Sequence, residues 1–230
     1  MFKEYFSDFL ALFFPELCGA CAKSLFKGEA EICTSCIYKL PLTAFHAYPN
    51  NKVARQFWGR IPFFQAGAYL HFKKGGRVQA LLHQIKYRKR EQLGIRLGEL
   101  YGYELSQSGS FIKPDLIIPV PLHPKKFKMR GYNQSEAIAK GLSKVLQVDL
   151  STTHLNRNLH TESQTKKTRF SRYENMQEAF SIHQPEELEG KHILLIDDVI
   201  TTGSTIEACA LCLQEKAKIT LSIAALAYAE

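Results

Sequence analysis

Two rhythms of apolar and polar residues alternate along this chain, and the switches between them mark its elements. Short apolar runs occupy 64–72, 116–120, 192–196 and 218–227, with a shorter one at 179–182. Runs of this length bounded by turn residues predict strands. Between them the spacing becomes three-to-four, as in Val78, Leu81, Leu82 and Ile85, then Leu93, Leu97, Leu100 and Tyr101, then Ile138, Leu142, Val145 and Leu146. These sets predict helices. Asn133 with Glu136 opens the third as a capping box would, and a fourth begins near Thr205. Gly75 and Gly76 turn the chain, 106–110 and 184–190 connect elements, and the polar, aperiodic stretch 156–178 reads as a long mobile loop. Strands and helices in this order predict an α/β fold, a parallel sheet flanked by helices.

The 230 residues, 45% of them hydrophobic, suffice for one full core and a small appendage. Residues 1–48 read as that appendage, Pro49, Asn50 and Asn51 as a junction, and 60–230 as the main domain. The start of the chain is Phe-rich, but Glu4, Ser7 and Asp8 interrupt the apolar segment a signal peptide requires. Residues 1–17 therefore read as an amphipathic helix that packs on the protein or docks on a membrane or partner. No run approaches the roughly 20 apolar residues of a membrane span. A cytoplasmic protein is expected, at most peripheral at the inner face of the cytoplasmic membrane.

Two Cys-x-x-Cys pairs, Cys18 with Cys21 and Cys33 with Cys36, stand eleven residues apart. Two such chelate turns can share one tetrahedral Zn²⁺, and a closed four-thiolate site is structural, which predicts a small zinc-ribbon-like module. Disulfides fit poorly without an export signal, and a redox pair has no need of two copies. Cys209 and Cys212 share the spacing but lie on a helical face with Ile206, Ala210 and Leu213, where packing is their expected role.

The most informative segment is HILLIDDVITTGST, an apolar run, two carboxylates, then a hydroxyl-rich turn into a helix. Strands of open α/β sheets end at the ligand crevice, and a helix N-terminus with backbone N–H groups suits a phosphate. Gly203 permits close approach. Asp197 and Asp198 repel a phosphate, so they make sense as acceptors for sugar hydroxyls. Neither G-x-x-x-x-G-K-[ST] nor G-x-G-x-x-G occurs.

Net charge is +8 and unevenly spread. Residues 70–96 hold eight Lys or Arg against one acidic residue, and 120–175 hold eleven against four. A polyanionic partner or substrate is implied. Within these blocks KYRKR (86–90), KKFKMRGY (125–132) and RFSRY (169–173) interleave aromatics with cations. Single-stranded nucleic acid binds such surfaces by charge and base stacking, with Lys86, Arg88, Lys126, Lys128, Arg130 and Arg169 the candidate contacts. The alternative buries the aromatics in the core and leaves the cations to solvent or to pyrophosphate.

The segment DDVITTGST at 197–205 resembles the phosphoribosyl pyrophosphate motif of type I phosphoribosyltransferases. The whole chain resembles one branch of these, the ComF competence family. That likeness rests on the cysteine module, Lys86-Tyr87, PVPLH at 119–123, RGYNQS at 130–135, and Gln164, Arg172 and Asn175 before Phe180. The resemblance implies a type I phosphoribosyltransferase-like fold. It assigns the ribose diol to Asp197 and Asp198, the 5′-phosphate to Thr201, Thr202, Gly203, Ser204 and Thr205, and pyrophosphate, with Mg²⁺, to the loop containing Val120, Pro121 and Leu122. Arg157, Lys166, Lys167 and Arg172 would close over the leaving group, Arg172 joining the two aspartates as catalytic. The family acts in natural transformation, which implies single-stranded DNA as a partner and membrane-associated uptake proteins as neighbours. Three readings follow: a ribose-phosphate-binding competence protein, a salvage phosphoribosyltransferase, and a non-catalytic adaptor. No nucleobase-reading element is evident in the sequence.

Overall fold

A computed structural model describes residues 14–158 and 179–229. Its strands are β1 (Gln65–Phe72), β2 (Leu116–Pro119), β3 (Asp149–Leu150), β4 (Leu155–Arg157), β5 (Phe180–Ile182), β6 (His192–Ile200) and β7 (Thr220–Ala229). Among the described residues, five form one sheet in the order β1-β7-β6-β2-β3. Every pairing within it is parallel. β4 and β5 pair antiparallel beside it.

The continuous apolar runs predicted as strands are continuous because both sheet faces are buried. Leu194, Ile196, Ala224 and Leu226 point to one face, under helices α3 (Arg77–Tyr87), α4 (Glu91–Gln107) and α6 (Gln134–Leu146). Ile193, Leu195, Ile223 and Ala225 point to the other, under α2 (Lys52–Phe57) and α7 (Ser204–Lys216). The helical stripes land largely as predicted: Leu81, Ile85, Leu93, Leu97, Ile138 and Leu142 are all buried in the first layer, while Leu100 and Val145 are only half-buried. Where α4 crosses α6, a Cβ on Gly98 would stand 2.1 Å from the Ile138 carbonyl oxygen, so only glycine allows this approach.

The cysteine segment is sewn into this core. Residues 41–43 run along the free edge of β1, Thr43 N–H donating to the Tyr69 carbonyl at 3.0 Å and His71 N–H to that of Pro41 at 2.8 Å. A bare sheet edge is thereby covered. Ile32, Cys36 and Leu40 join the cluster containing Leu93 and Leu97, and Arg90 pairs with Glu31 at 2.7 Å. Asn51, read as part of a junction, is 6% exposed. Its Nδ2 donates to the carbonyls of Phe45 (3.0 Å), Tyr48 (2.8 Å) and Ala66 (2.7 Å), and its Oδ1 caps α2 by accepting from Ala54 N–H at 2.9 Å. Pro-Asn-Asn signals a turn, but the bonds its amide makes depend on chain distant in sequence.

Several elements depart from the expected pattern. β6 runs on through Asp197 and Asp198 to Ile200, because β7 continues the ladder beside it as far as Ile200↔Tyr228. The basic stretch after β2 forms helix α5 (Pro124–Arg130), between Pro124 at its first turn and Gly131 at φ 86°. Those are a helix start and stop signal in their own right. α2 and the short α1 (Thr34–Tyr38) were also unforeseen. The amphipathic helix expected at 1–17 falls, apart from residues 14–17, outside the described residues, as does most of the loop expected at 156–178. No helix of the described residues is long and apolar enough to cross a membrane.

Candidate functional site

The site follows from how the chain leaves two neighbouring strands. β2 ends at Pro119, opposite Ile196, whereas β6 continues to Ile200. From β2 the chain passes through α5 to α6 on one face, and from β6 to α7 on the other. Diverging connections between adjacent parallel strands open a crevice at their carboxyl ends. That crevice holds about 480 Å³ and is lined by residues of all three flanking regions, among them Val120, Lys86, Arg130, Ser135, Asp197 and Thr205.

The two carboxylates stand at its centre. Asp197 Oδ1 accepts from Ser135 Oγ at 2.9 Å and from Asp198 N–H at 2.8 Å, and Asp198 Oδ2 lies 3.0 Å from Lys86 Nζ. Burial, and then the charge of Asp198, push the Asp197 carboxyl up to about 7, against the opposing pull of its hydrogen bonds and of Lys86. Withdrawal from water and a like charge both disfavour the ionised form.

The turn after β6 is braced from α2 and the residues just past it. The Gln56 side-chain amide donates to the Thr201 carbonyl. Arg60 donates to the Thr202 carbonyl at 3.1 Å and forms an ion pair with Glu207. Gly203 has φ 75°, and a Cβ there would stand 2.8 Å from the Phe57 ring, so conformation and space both require glycine. The braced turn forms a cup of about 30 Å³ walled by residues 197 and 199–206. The cup opens at the N-terminus of α7, the end of a helix that favours an anion.

Across the crevice, Val120 N–H donates to the Ile196 carbonyl at 2.8 Å, and the Val120 carbonyl accepts from Asn133 Nδ2 at 3.0 Å. Arg130 is 9% exposed. One of its terminal nitrogens donates to Gln134 Oε1, its guanidinium lies 5.5 Å from the Tyr87 ring centroid, and its Nε has no partner among the described residues. A buried donor left over in a crevice is a place for an incoming acceptor.

Thus Asp197, Asp198, Thr201, Thr205, Val120, Pro121, Leu122, Lys86, Lys126 and Arg130 meet in one crevice, and Thr202, Gly203 and Ser204 wall the adjoining cup. Arg88 and Lys128 are exposed outside it. Arg172 and Arg169, with Lys166 and Lys167, lie outside the described residues. Arg157, expected on a mobile loop, is held in β4 with its guanidinium 5.2 Å from the Phe180 ring centroid. Sequence reasoning makes Asn133 a helix cap and misses Gln134 and Ser135, although a polar trio inside RGYNQS at the start of an amphipathic helix is a visible signal. All three are buried.

In the N-terminal segment the sulfurs of Cys18, Cys21, Cys33 and Cys36 lie within 4.8 Å of one another. Tetrahedral Zn–S bonds of about 2.3 Å set sulfurs roughly 3.8 Å apart, and Cys21 and Cys33 are separated by 3.9 Å. Burial opposes ionisation of Cys18, but N–H groups of Cys33 (3.3 Å) and Ala20 (3.4 Å) point at its sulfur and bring its thiol down to about 6. These four residues form a cluster able to hold zinc. Cys209 and Cys212 are buried in the α7 layer.

A profile of the phosphoribosyl transferase domain matches residues 132–229. The chain is 33% identical to Competence protein F of Haemophilus influenzae over 194 residues, 83% of this chain and 80% of that one. It is 30% identical to DNA utilization protein YhgH of Escherichia coli O157:H7 over 149 residues, 64% of this chain and 65% of the relative. Among solved structures, glutamine phosphoribosylpyrophosphate amidotransferase from B. subtilis aligns over 61% of this chain and 30% of its own, with a TM-score of 0.42 at 18% identity.

Proposed function

The chain belongs to the ComF family of competence proteins, and on that premise we propose that its crevice binds phosphoribosyl pyrophosphate, or a related ribose phosphate, with Mg²⁺. In this reading it acts in natural transformation on the cytoplasmic side of DNA uptake and also binds single-stranded DNA. The observation that carries the reading is two carboxylates and an anion cup on one strand-turn-helix unit. Asp197 and Asp198 cannot welcome a phosphate, but each accepts hydrogen bonds from a vicinal diol. The like-charge strain on Asp197 is relieved when hydroxyls donate to it. The backbone N–H groups and hydroxyls of 201–205 take the 5′-phosphate, one sugar away. On the β2 side, the turn 120–122, Lys126 and Arg130 face the pyrophosphate. Mg²⁺ suits an oxygen-rich ligand held beside two carboxylates, and it offsets the charge of the pyrophosphate. Arg172 keeps the catalytic role that the family resemblance gives it. Zinc, held by Cys18, Cys21, Cys33 and Cys36, stiffens a segment that has little core of its own.

A transferase reading gains from the other half of the crevice. Towards β1 and β7 it is lined by Phe72, Leu82, Val199 and Ala229, with Gln79 and His83 at its edge. Apolar walls with polar groups at the edge suit an acceptor such as a nucleobase. Transfer would then break the C1′–oxygen bond to pyrophosphate and form a bond to the acceptor, with positioning and charge stabilisation doing most of the catalysis.

Isothermal titration with phosphoribosyl pyrophosphate and Mg²⁺ tests the main reading. Saturable binding is expected, and Asp198→Asn should weaken it by about 10- to 100-fold, the loss of a charged hydrogen-bond acceptor. No binding, or binding indifferent to Asp198→Asn, refutes it. Release of pyrophosphate only when a particular base is added would establish the transferase.

A further inference from the structure

Two of the interleaved aromatics are not core residues: Tyr87 is 58% exposed and Phe127 48%. Tyr132 packs against the core instead, and the aromatics of 169–173 lie outside the described residues. Tyr87 lines the mouth of the crevice, its ring set against His83 (5.1 Å between centroids) and the Arg130 guanidinium (5.5 Å). A ring buttressed in this way is a ready stacking platform. Of the cations, Lys126 and Arg130 line the crevice with it, while Arg88 and Lys128 are exposed and stand outside the lining.

Building on the ribose-phosphate reading above, we infer that single-stranded DNA docks across the mouth of the crevice, on Tyr87, Lys126 and Arg130, so that DNA and the ribose phosphate exclude one another. Three observations carry this. Arg130 is buried, its guanidinium fixed between Gln134 and the Tyr87 ring, so a pyrophosphate seated on it inside the crevice and a backbone phosphate at the mouth compete for the same cation. A multiply charged anion in the crevice neutralises Lys126 and Arg130, two of the cations a strand needs. Deoxyribose also lacks the 2′-hydroxyl that Asp197 and Asp198 would grip, so DNA gains from the rim and not from the depth of the site. The inhibition must be reciprocal, because coupling between two binding equilibria is symmetric.

The test is fluorescence anisotropy of a labelled oligo-dT on the full chain, titrated with phosphoribosyl pyrophosphate and Mg²⁺, alongside calorimetry of the ribose phosphate with and without oligo-dT. At saturating ribose phosphate the DNA affinity should fall about tenfold or more. The slope of log K against log salt should become shallower by about 1.4, two cations at roughly 0.7 each. Arg88→Ala with Lys128→Ala should weaken DNA alone, and Arg130→Ala should weaken both ligands. DNA affinity unchanged at saturating ribose phosphate overturns the inference and leaves the ribose-phosphate reading standing. Failure of the ribose phosphate to bind by itself overturns both.

Discussion

At the scale of single residues, the site trades stability for function, and Asp197 shows how. Its carboxyl titrates near 7 because burial and Asp198 oppose its charge. The folded state therefore binds a proton that the unfolded chain has lost, and stability declines as pH rises from about 4 through about 7. Asp197→Asn keeps an oxygen that accepts from Ser135 and from Asp198 N–H while removing the charge. We expect its melting temperature to match the wild type at pH 5 and to exceed it at pH 8 by roughly 2–4 °C, about 1 kcal/mol in a chain of this size, with ribose-phosphate binding lost. Thermal melts at the two pH values check this, and a variant less stable than wild type at pH 8 refutes it. The acid pair and Gly203 were legible as chemistry in the sequence. Ser135, which holds Asp197, was not, because the pair is separated by 62 positions and meets only when α6 packs beside β6.

At the scale of elements, the cysteine segment has almost no regular structure among its described residues beyond the five residues of α1. It is too short to pay its own ordering entropy. Its geometry rests on the sulfur cluster and on the contacts of Ile32, Cys36 and Leu40 with the α4 layer. Elemental analysis should find one zinc per chain. Chelation, or Cys36→Ser, should lower the melting temperature by at least about 5 °C and raise hydrogen exchange first in 14–43. A chain purified without metal and with these amides protected would contradict this. The element-level reading of the sequence succeeded where periodicity was long, in α3, α4, α6 and the buried strands. It failed for α5, where a run of cations around Phe127 hid the start at Pro124 and the stop at Gly131, both of them visible.

At the scale of the whole molecule, the cysteine segment and the sheet behave as one packed body. Residues 41–43 cover the β1 edge, Asn51 ties both sides together, and Gln56 and Arg60 brace the phosphate turn. A fragment comprising 60–230 should therefore expose that edge, lose the Gln56 brace and aggregate or melt without cooperativity. Cooperative unfolding of the fragment within a few degrees of the full chain would show the two parts to be independent. The sequence by itself determined what depends on neighbours within a few positions: strand and helix periodicity, the paired Cys-x-x-Cys turns, and the acidic pair before a hydroxyl-rich turn at a helix start. The tertiary structure alone decided what depends on distant chain. β2 stops short of β6 and so opens the crevice, Lys86 and Ser135 come to the aspartates, and Tyr87 faces solvent at the rim instead of the core. Periodicity reports which side of an element is apolar, whereas a site is the sum of contacts between elements whose partners no local pattern specifies.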